Sequence, residues 1–557
     1  MRKEEWKTWV QWYEVTGGER GTIEEFRELL KKYKRSSLLV MCAQISVGFA
    51  YGPQAETTAS DELTKLWARV LFRNEVVPSI EQFLKNGRLI FFQGQLRFTA
   101  AEIIRMGPEK TADLPPIENH EVGEILLRAS ELMYFKHEDQ KEHFDQLANR
   151  ISQFLPIYEI DSPTDTLLLL LRFYIFITIN IPRLVPERRL FDVDAMFLER
   201  FGIELRTFAH LLKGFEYHAL MMRWDTQPWR GFADCGMRKS NFEKSTVSDD
   251  LLNHMFSEVS FSWETLKQAK EAIGYADFDF LKDQPYFRSN DTLYCLDYEF
   301  AMGKLESAAI WRIVKTLRGK KGDEYLSYWG YVFEDYVAWL FETYSVPKFT
   351  GVISSPRYAD DASQEICDTV LLCGSTAVLI ECKLATCKST IRYSGDFELM
   401  KEFLEDRLVT GAGVSQLRSA IDLLTSSSKS VPSWAKRITK IIPVIVTRDD
   451  IGSCWYVNAY LNDRFEEDLQ RKNYPQHSIT PLVSMSIGSL ERCMKELKRR
   501  SFNEVLESRI HANRDMIWSF EKACNYVGRG SARELPEHVA ALGRFSEEMI
   551  RSLGLHE

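Results

Sequence analysis

The sequence lacks the short motifs that mark the common nucleotide-binding and zinc enzymes. It contains no GxxxxGK[ST] phosphate loop and no GxGxxG after a predicted strand, so the N-terminal half is predicted to carry no nucleotide-hydrolysis chemistry of its own. The histidines of that half show no HExxH or HxH spacing, which favours ordinary surface or core histidines over metal ligands. The ten cysteines include no CxxC pair, which argues against a zinc ribbon or a disulfide framework and favours reduced thiols in a cytosolic protein.

An excess of positive charge is also missing, since the formal net charge is -9 over 557 residues. The protein as a whole is therefore not a polycation that coats nucleic acid by bulk electrostatics, and any nucleic-acid contact needs a local basic groove. Hydrophobic residues make up 45% and charged residues 27%, which is ordinary for a soluble globular protein. The length is sufficient for two to four domains, each with its own core.

Long apolar segments are nearly absent. The one stretch of this kind, Thr166 to Pro182, carries Arg172 inside it and is shorter than the ~20 residues of a membrane span. We therefore expect a buried core helix here and no membrane partner. Residues Met1 to Val10 are charged and have no apolar signal core, which favours a cytoplasmic protein.

Mostly helical patterns fill the first half of the chain. Thr22 to Tyr33, for example, begins with a threonine followed three residues later by Glu25, and apolar residues then recur at helical spacing. No fixed-period repeat is present, so a regular solenoid is not supported. We predict a mostly helical regulatory or scaffold region over residues 1–317, which a Pro-containing stretch near 107–120 divides into two subdomains or interrupts as a loop.

The segment around which the chain is organised is Gln364 to Lys383, which predicts a β-hairpin. Two apolar runs flank a turn at Gly374. Glu381 and Lys383 are two residues apart in the second strand, so their side chains must point to the same face. Asp368 lies among apolar residues of the first strand, where an unpaired carboxylate is costly. This combination predicts a hard-metal site beside a positioned amine.

An aromatic-rich helix is predicted before the hairpin, over Tyr325 to Tyr344. It is apolar on more than one face, as buried helices are. Glu334 lies about one turn from Tyr331 and Val337, so its carboxylate is expected to face protein. The neighbouring Asp335 points about 100 degrees away from it. The sequence leaves open which of the two acids turns toward the site.

Helices and strands alternate beyond the hairpin. Val414 to Leu424 predicts an amphipathic helix that carries Gln416, and Ile438 to Thr447 predicts a buried strand. The order helix, strand, strand, strand, helix, strand is typical of an α/β fold with a mixed sheet. We place this domain at residues 324–487 and predict a C-terminal helical extension over 488–557.

Taken together, these residues resemble the PD-(D/E)xK nuclease superfamily, also called restriction-endonuclease-like. The similarity covers roughly residues 325–447 and departs from the family pattern at Cys367, which replaces a frequent proline, and at Ala420, where the exonuclease-type signature has a tyrosine. The residues that carry it are Glu334 in a helix, Asp368 in a strand, the tripeptide Glu381-Cys382-Lys383 thirteen residues later, and Gln416 in a later helix.

The resemblance implies an α/β mixed-sheet PD-(D/E)xK core in the C-terminal half, beside a large, mostly α-helical N-terminal region. It implies that Asp368, Glu381 and the backbone carbonyl of Cys382 hold Mg²⁺, with Mn²⁺ as an alternative ion. Glu334 would bind the same ion through water or support a second one. The reaction would be metal-dependent hydrolysis of a phosphodiester bond.

Two further residues receive roles from the same resemblance. Lys383 would orient the attacking water or stabilise the charge that develops on the phosphorus oxygens. Gln416 would position the lysine or a phosphate oxygen. Seven basic residues near the predicted core are candidates for contacts with the nucleic-acid backbone. They are Lys388, Arg392, Arg407, Arg418, Lys429, Arg437 and Lys440.

The leading hypothesis is a regulated Mg²⁺-dependent nuclease that acts on DNA. The N-terminal helical region would control it by binding a signal, a protein partner or a second copy of the chain, in a layout that bacterial anti-phage and restriction proteins often use. Two alternatives stay open. One is a non-catalytic nucleic-acid-binding or scaffold protein with a nuclease-like core, and the other is a nuclease that cleaves RNA.

Overall fold

The computed structural model describes residues 10–51, 59–86, 88, 90–91, 93–109, 114–133, 166–224, 235–266, 278–392, 397–411, 413–469, 477–512 and 535–554. Helices dominate this part of the chain, and the strands form two separate sheets. The helical N-terminal region and the mixed sheet of the C-terminal half, both predicted from the sequence, are confirmed at this level.

Short consecutive helices build the N-terminal region. Thr22 caps the second of them, because its side chain accepts a hydrogen bond from the Glu25 N–H while the Glu25 carboxylate accepts one from the Thr22 N–H. The α-helices span Trp12–Thr16, Ile23–Leu30, Arg35–Tyr51, Ala59–Leu71, Val77–Lys85, Gln93–Met106, Asn119–Met133, Thr166–Ile175, Ile181–Arg183, Val193–Phe201, Leu205–Trp224, Asp249–Val259, Trp263–Leu266, Asp279–Asp283 and Tyr298–Glu306.

A small sheet also lies in this region, and sequence patterns did not predict it. Its strands are β1 (Met237–Arg238), β2 (Ser260–Phe261), β3 (Tyr286–Ser289) and β4 (Thr292–Cys295), in the order β1-β4-β3-β2. Each strand has only two to four residues, which is too short for an alternating pattern to be recognised.

The larger sheet belongs to the C-terminal half. Its strands are β5 Gly351–Ser354, β6 Thr369–Cys373, β7 Thr376–Lys383, β8 Lys440–Thr447, β9 Ser478–Ile479 and β10 Val483–Ser486. Strands β5, β6 and β7 are antiparallel, while β7, β8 and β10 run parallel, and the short β9 pairs with the start of β8.

Strands β6 and β7 form the predicted hairpin. The pairing register runs from Cys373 opposite Thr376 to Thr369 opposite Ile380. Gly374 has a φ of 65°, the left-handed conformation that a two-residue hairpin turn requires. The sequence therefore located both the strands and their turn.

One long helix, Lys320–Tyr344, is the central helix of the C-terminal half. It begins at Lys320, directly after Gly319, five residues before the predicted start at Tyr325. Its buried residues occupy several faces, as the aromatic content predicted. The other α-helices of this half are Ser389–Arg392, Phe397–Leu404, Gly413–Thr425, Trp455–Leu469, Ile487–Cys493, Phe502–Ala512 and Pro536–Ser552.

The predicted core segment Thr166 to Pro182 is a helix that continues into a π-helical turn at Phe176–Asn180. Arg172 is buried there, and its Nε and Nη2 lie 2.7 and 2.8 Å from the two carboxylate oxygens of Glu491. The buried charge is thus paired within the protein. No helix in the described ranges combines the length and apolarity needed to cross a membrane.

A single apolar core joins all three predicted segments. Buried side chains of residues 10–317, of the central helix and its sheet, and of the C-terminal helices belong to one continuous cluster. A second cluster lies on the other face of the large sheet, under the helices Phe397–Leu404, Gly413–Thr425 and Trp455–Leu469. The division at 1–317, 324–487 and 488–557 stays a prediction.

Candidate functional site

The hairpin brings Asp368 against the strand that carries Glu381. Thr369 pairs with Ile380, so Asp368, one residue before, lies beside Glu381, one residue after. The backbone N–H of Cys382 donates a hydrogen bond of 2.6 Å to Asp368 Oδ2. The Asp368 carboxylate is therefore held at the end of β7 by the backbone of the tripeptide predicted to share its metal.

Lys383 reaches back along the same strand to Glu381. Its Nζ lies 2.9 Å from Glu381 Oε2, as expected for two side chains on one face. The Glu381 side chain is 1% exposed and that of Lys383 is 17% exposed, so the carboxylate lies deep and the amine lies nearer the surface. Glu381 and Lys383 therefore form an ion pair in which the amine is the more accessible partner.

The central helix contributes Glu334 and directs Asp335 elsewhere. The Glu334 carboxylate is within electrostatic range of both Asp368 and Lys383. Asp335 instead accepts hydrogen bonds from Asn180 Nδ2 at 2.8 Å and from Arg183 Nε at 3.1 Å. Of the two adjacent acids, Glu334 is therefore the one that interacts electrostatically with Asp368 and Lys383, while Asp335 pairs with side chains of the N-terminal region.

Three carboxyl groups at this position have raised pKa values. Burial raises the pKa of Glu334, and the charge of Asp368 raises it further. Burial and the charge of Asp368 likewise raise the pKa of Glu381. Burial also raises the pKa of Asp368, although the Lys383 charge and the Cys382 N–H oppose this effect. Without a bound cation, the raised pKa values of these carboxyl groups therefore favour their protonated forms.

Lys383 responds in the opposite sense. Burial alone lowers the pKa of an amine, but the charges of Glu381 and Asp368 outweigh it and raise the Lys383 pKa above its ordinary value. The amine is therefore a stable cation at neutral pH, which is the form needed to hold an anion or to stabilise negative charge.

Two further charged residues, neither of which is predicted from the sequence, lie against the acidic cluster formed by Glu334, Asp368 and Glu381. Arg188 comes from the N-terminal region, in the 3₁₀ turn Pro186–Arg188, and its Nη1 lies 3.5 Å from Glu334 Oε2. Its Nη2 lies 3.1 Å from Glu365 Oε2. Glu365 lies at the start of the predicted hairpin segment, three residues before Asp368, whereas nothing in the sequence links residue 188 to residue 334, since only the tertiary fold brings them together.

Gln416 is not brought into contact with the other predicted residues. It is exposed on the helix Gly413–Thr425, whose buried face packs on β7 and β8. No hydrogen bond joins it to Glu334, Asp368, Glu381 or Lys383 within the described residues. Its predicted role as a positioning group for Lys383 finds no direct contact here.

The donor set suits a hard cation by its chemistry. Carboxylate and carbonyl oxygens are the ligands that Mg²⁺ prefers, and Asp368, Glu381, Glu334 and the Cys382 carbonyl supply only oxygen atoms. Each acid now makes a hydrogen bond or ion pair within the protein. In the described ranges no three His, Cys, Asp or Glu side chains are already arranged as a metal site, so binding an ion requires these side chains to exchange partners.

At least three of the seven candidate basic residues form ion pairs with acids in the described ranges, and one of these is an exposed pair of Arg407 Nε with Asp406 Oδ2 at 2.8 Å. Arg392 Nη1 lies 3.1 Å from Asp449 Oδ1 in a largely buried pair, and Lys440 Nζ lies 3.0 Å from Glu507 Oε1. Lys440 pairs with Thr376 at the start of β7, whereas Lys383 is at its end. The two ends are about 20 Å apart along the strand, so Lys440 lies at the opposite end of the sheet from the acidic cluster.

Comparison of the chain with protein-family models, with curated proteins and with solved structures finds no match. What can be said of its chemistry therefore rests on the residues themselves.

Proposed function

We propose that the protein is a metal-dependent nuclease with a PD-(D/E)xK-like core that hydrolyses phosphodiester bonds, with DNA as the substrate. The observation that carries the proposal is the convergence of Glu334, Asp368 and Glu381 with Lys383 at the end of one hairpin. Buried acids that repel one another are stabilised by a divalent cation, and a lysine beside that cation is suited to an anionic substrate.

Each residue has a role in this reaction. Asp368, Glu381 and the Cys382 carbonyl hold Mg²⁺ or Mn²⁺, with Glu334 as a further ligand through water or for a second ion. The bound ion supplies Lewis acidity at the scissile phosphate and a water of lowered pKa. Lys383 orients that water or stabilises charge on the phosphate oxygens.

The N-terminal region would then serve as the regulatory part of the enzyme. It is large and helical, and the 3₁₀ turn that ends in Arg188 lies against the acidic cluster. A signal, a protein partner or a second copy of the chain that shifts this region would act directly on the site. Restriction or anti-phage defence in the bacterial cytoplasm is a function of this kind, proposed by analogy of layout.

The first test is cleavage of plasmid DNA with Mg²⁺ and with EDTA. We expect the wild-type protein to cut only with the metal, and Asp368→Ala, Glu381→Ala and Lys383→Ala each to lower the rate about 100-fold or more, as loss of one charge-stabilising group does. Asp361→Ala is the matched control, because Asp361 is a loop acid whose carboxylate bonds with Ser363 in its own turn. Equal cleavage by the wild type and all three site variants would exclude this site.

The two other functions predict different results in the same assay. Digestion of single- and double-stranded RNA in parallel, with faster cleavage of RNA than of DNA, would support the RNA nuclease. Binding of nucleic acid without metal-dependent cleavage of either would support the non-catalytic scaffold. The complete set of three acids and a lysine favours an active enzyme over the scaffold.

A further inference from the structure

Arg188 is a cation that the N-terminal region supplies to the acidic cluster. Its side chain is 21% exposed, so it lies at the surface of the cluster and not beneath it. The residue ends the turn Pro186–Arg188, after an extended stretch that follows the helix Ile181–Arg183. The N-terminal region thus places a guanidinium at the opening of the candidate site.

Two contacts hold this guanidinium in position. Its central carbon lies 4.4 Å from the centroid of the Tyr331 ring, in a cation–π contact. Its Nη2 lies 3.1 Å from Glu365 Oε2. A planar group stacked on an aromatic face and fixed at one nitrogen is already oriented, so it loses little freedom when it binds an anion with its other nitrogen.

The other nitrogen makes only long contacts. Arg188 Nη1 lies 3.5 Å from Glu334 Oε2 and 3.5 Å from Ser355 Oγ. Good hydrogen bonds of an arginine to a carboxylate are about 2.7–2.9 Å long. Nη1 is therefore directed at the cluster without a close partner for its charge.

Charge balance at Glu365 points the same way. Arg357 Nη2 also lies 3.4 Å from Glu365 Oε2, so two guanidinium groups share one carboxylate. If Glu334 ligates a metal, Arg188, Arg357 and Glu365 together carry one uncompensated positive charge. A phosphate oxygen bound by Arg188 would neutralise this charge.

We propose that Arg188 binds a non-bridging oxygen of the substrate phosphodiester through Nη1, while Glu365 and Tyr331 position its guanidinium. This inference rests on the proposed nuclease function and deepens it, because it assigns part of the substrate site to the N-terminal region. Because Glu365 and Tyr331 fix the plane of the guanidinium, Nη1 is held ready for one phosphate oxygen, whereas a lysine amine on its flexible stem is not oriented in this way.

The binding test uses the full chain with Asp368→Asn and Glu381→Gln. These substitutions remove catalysis, and they also remove most of the negative charge that the acidic cluster carries when no metal is bound. Affinity for a short phosphodiester DNA is measured by fluorescence anisotropy with and without Arg188→Ala. We expect Arg188→Ala to weaken binding roughly 5- to 30-fold and to lower the salt slope by about one. A methylphosphonate DNA of the same sequence, which has no backbone charge, should bind both forms equally.

Two matched variants guard against a merely structural effect. Arg189→Ala removes the same charge from the next residue, whose guanidinium donates to the Pro182 carbonyl, and should leave binding and cleavage unchanged. Arg188→Lys keeps the positive charge but not the planar guanidinium, and it should lose an intermediate amount of DNA affinity. This variant still tests the proposal if Arg188→Ala does not fold. Loss with the methylphosphonate DNA as large as with the phosphodiester DNA would overturn the proposal.

Cleavage by the otherwise wild-type chain separates the two ideas. If the wild type cleaves and Arg188→Ala binds and cleaves as well as it does, Arg188 is not a phosphate ligand although the nuclease function stands. If Arg188→Ala cleaves faster, Arg188 is a counter-ion that competes with the metal, and the proposal is again overturned. If the wild type never cleaves, the nuclease function fails, while the binding assay still reports whether Arg188 contacts a phosphate.

Discussion

The acidic cluster is an unstable arrangement of charge as long as no cation joins it. Burial raises the pKa values of Glu334, Asp368 and Glu381, and the charge of Asp368 raises those of the two glutamates further. The positive charges of Lys383 and Arg188 counteract these increases only in part. Each acid has a hydrogen bond or ion pair within the protein, yet burial still disfavours its charged form.

The adjacent acids Glu334 and Asp335 on the central helix allow a paired test of which residue contributes to the proposed site. We expect Glu334→Gln to lower metal-dependent cleavage about 10-fold or more, because it removes an oxygen charge that faces Asp368. Asp335→Asn should leave cleavage unchanged and cost about 1 kcal/mol or less, because Asp335 only bonds with Asn180 and a half-exposed Arg183. Cleavage rates and urea unfolding curves are the measurements.

Both variants change one carboxylate to an amide of the same shape, so differences between them report position and not size. A result in which Asp335→Asn is inactive and Glu334→Gln is active would reverse the assignment of the helix face.

At the level of elements, a buried network of polar side chains connects four helices. Tyr336 on the central helix donates to Glu491 Oε1 at 2.6 Å, and Arg172 pairs with the same carboxylate. His538, on the helix Pro536–Ser552, lies 3.1 Å from Tyr336 Oη and 3.0 Å from Tyr344 Oη. Because the Tyr336 hydroxyl donates to Glu491, it accepts a hydrogen bond from His538 Nε2–H.

This geometry predicts a pH-dependent stability. Burial lowers the pKa of His538 below its ordinary value, and Arg172 adds to this effect while Glu491 opposes it. Below about pH 6.5 the unfolded chain therefore binds more protons at this residue than the folded chain does, so the free energy of unfolding falls as pH decreases. The slope from one group is at most about 1.4 kcal/mol per pH unit.

The measurement is urea unfolding between pH 7.5 and pH 5.5. We expect His538→Gln to lose less stability over this interval than the wild type, even if it is less stable at pH 7.5. His120→Gln is the control, since His120 is exposed and contacts only the exposed Glu118. A pH dependence identical in the wild type and His538→Gln would contradict the prediction.

For the molecule as a whole, the N-terminal region and the central helix form one packed unit. At least four aromatic pairs cross between them in the described ranges, with ring centroids 5.0 to 5.8 Å apart: Phe191 with Tyr325 and Tyr328, Phe173 with Trp329, and Phe176 with Tyr336. The buried pair of Arg172 and Glu491 joins the N-terminal region to the helix Ile487–Cys493 as well. Control of the site by the N-terminal region would therefore act through direct packing and not through a flexible linker.

Removal of the N-terminal region should consequently unfold the remainder. A chain of residues 318–557 exposes the aromatic face of the central helix and leaves Glu491 without its cation, and each unpaired buried charge costs about 3–5 kcal/mol. We expect weak near-UV circular dichroism, binding of an apolar dye and no cooperative thermal transition. A sharp two-state transition for residues 318–557 would instead show that the nuclease-like part is an independent domain.

Arg172→Ala in the full chain separates the charge pair from the aromatic packing. It should destabilise the protein strongly, whereas a joint change of Arg172 and Glu491 to apolar residues of similar size should recover most of the loss.

The sequence by itself determined what depends on neighbouring residues. The turn at Gly374, the shared face of Glu381 and Lys383, the capping box at Thr22 and the buried character of the central helix all follow from spacing along a strand or helix. A helix at Val414 to Leu424 was likewise predicted, and the structure has it at Gly413–Thr425. Local backbone geometry fixes such features before any long-range contact forms.

Only the tertiary structure decided which side chains meet across the fold. It turned Glu334 and not Asp335 toward the hairpin, left Gln416 exposed, and brought Arg188 to the acidic cluster from 146 residues away. It also paired Arg172 with Glu491, 319 residues further along the chain. Such partners are set by the packing of one helix on another, and sequence spacing carries no record of that packing.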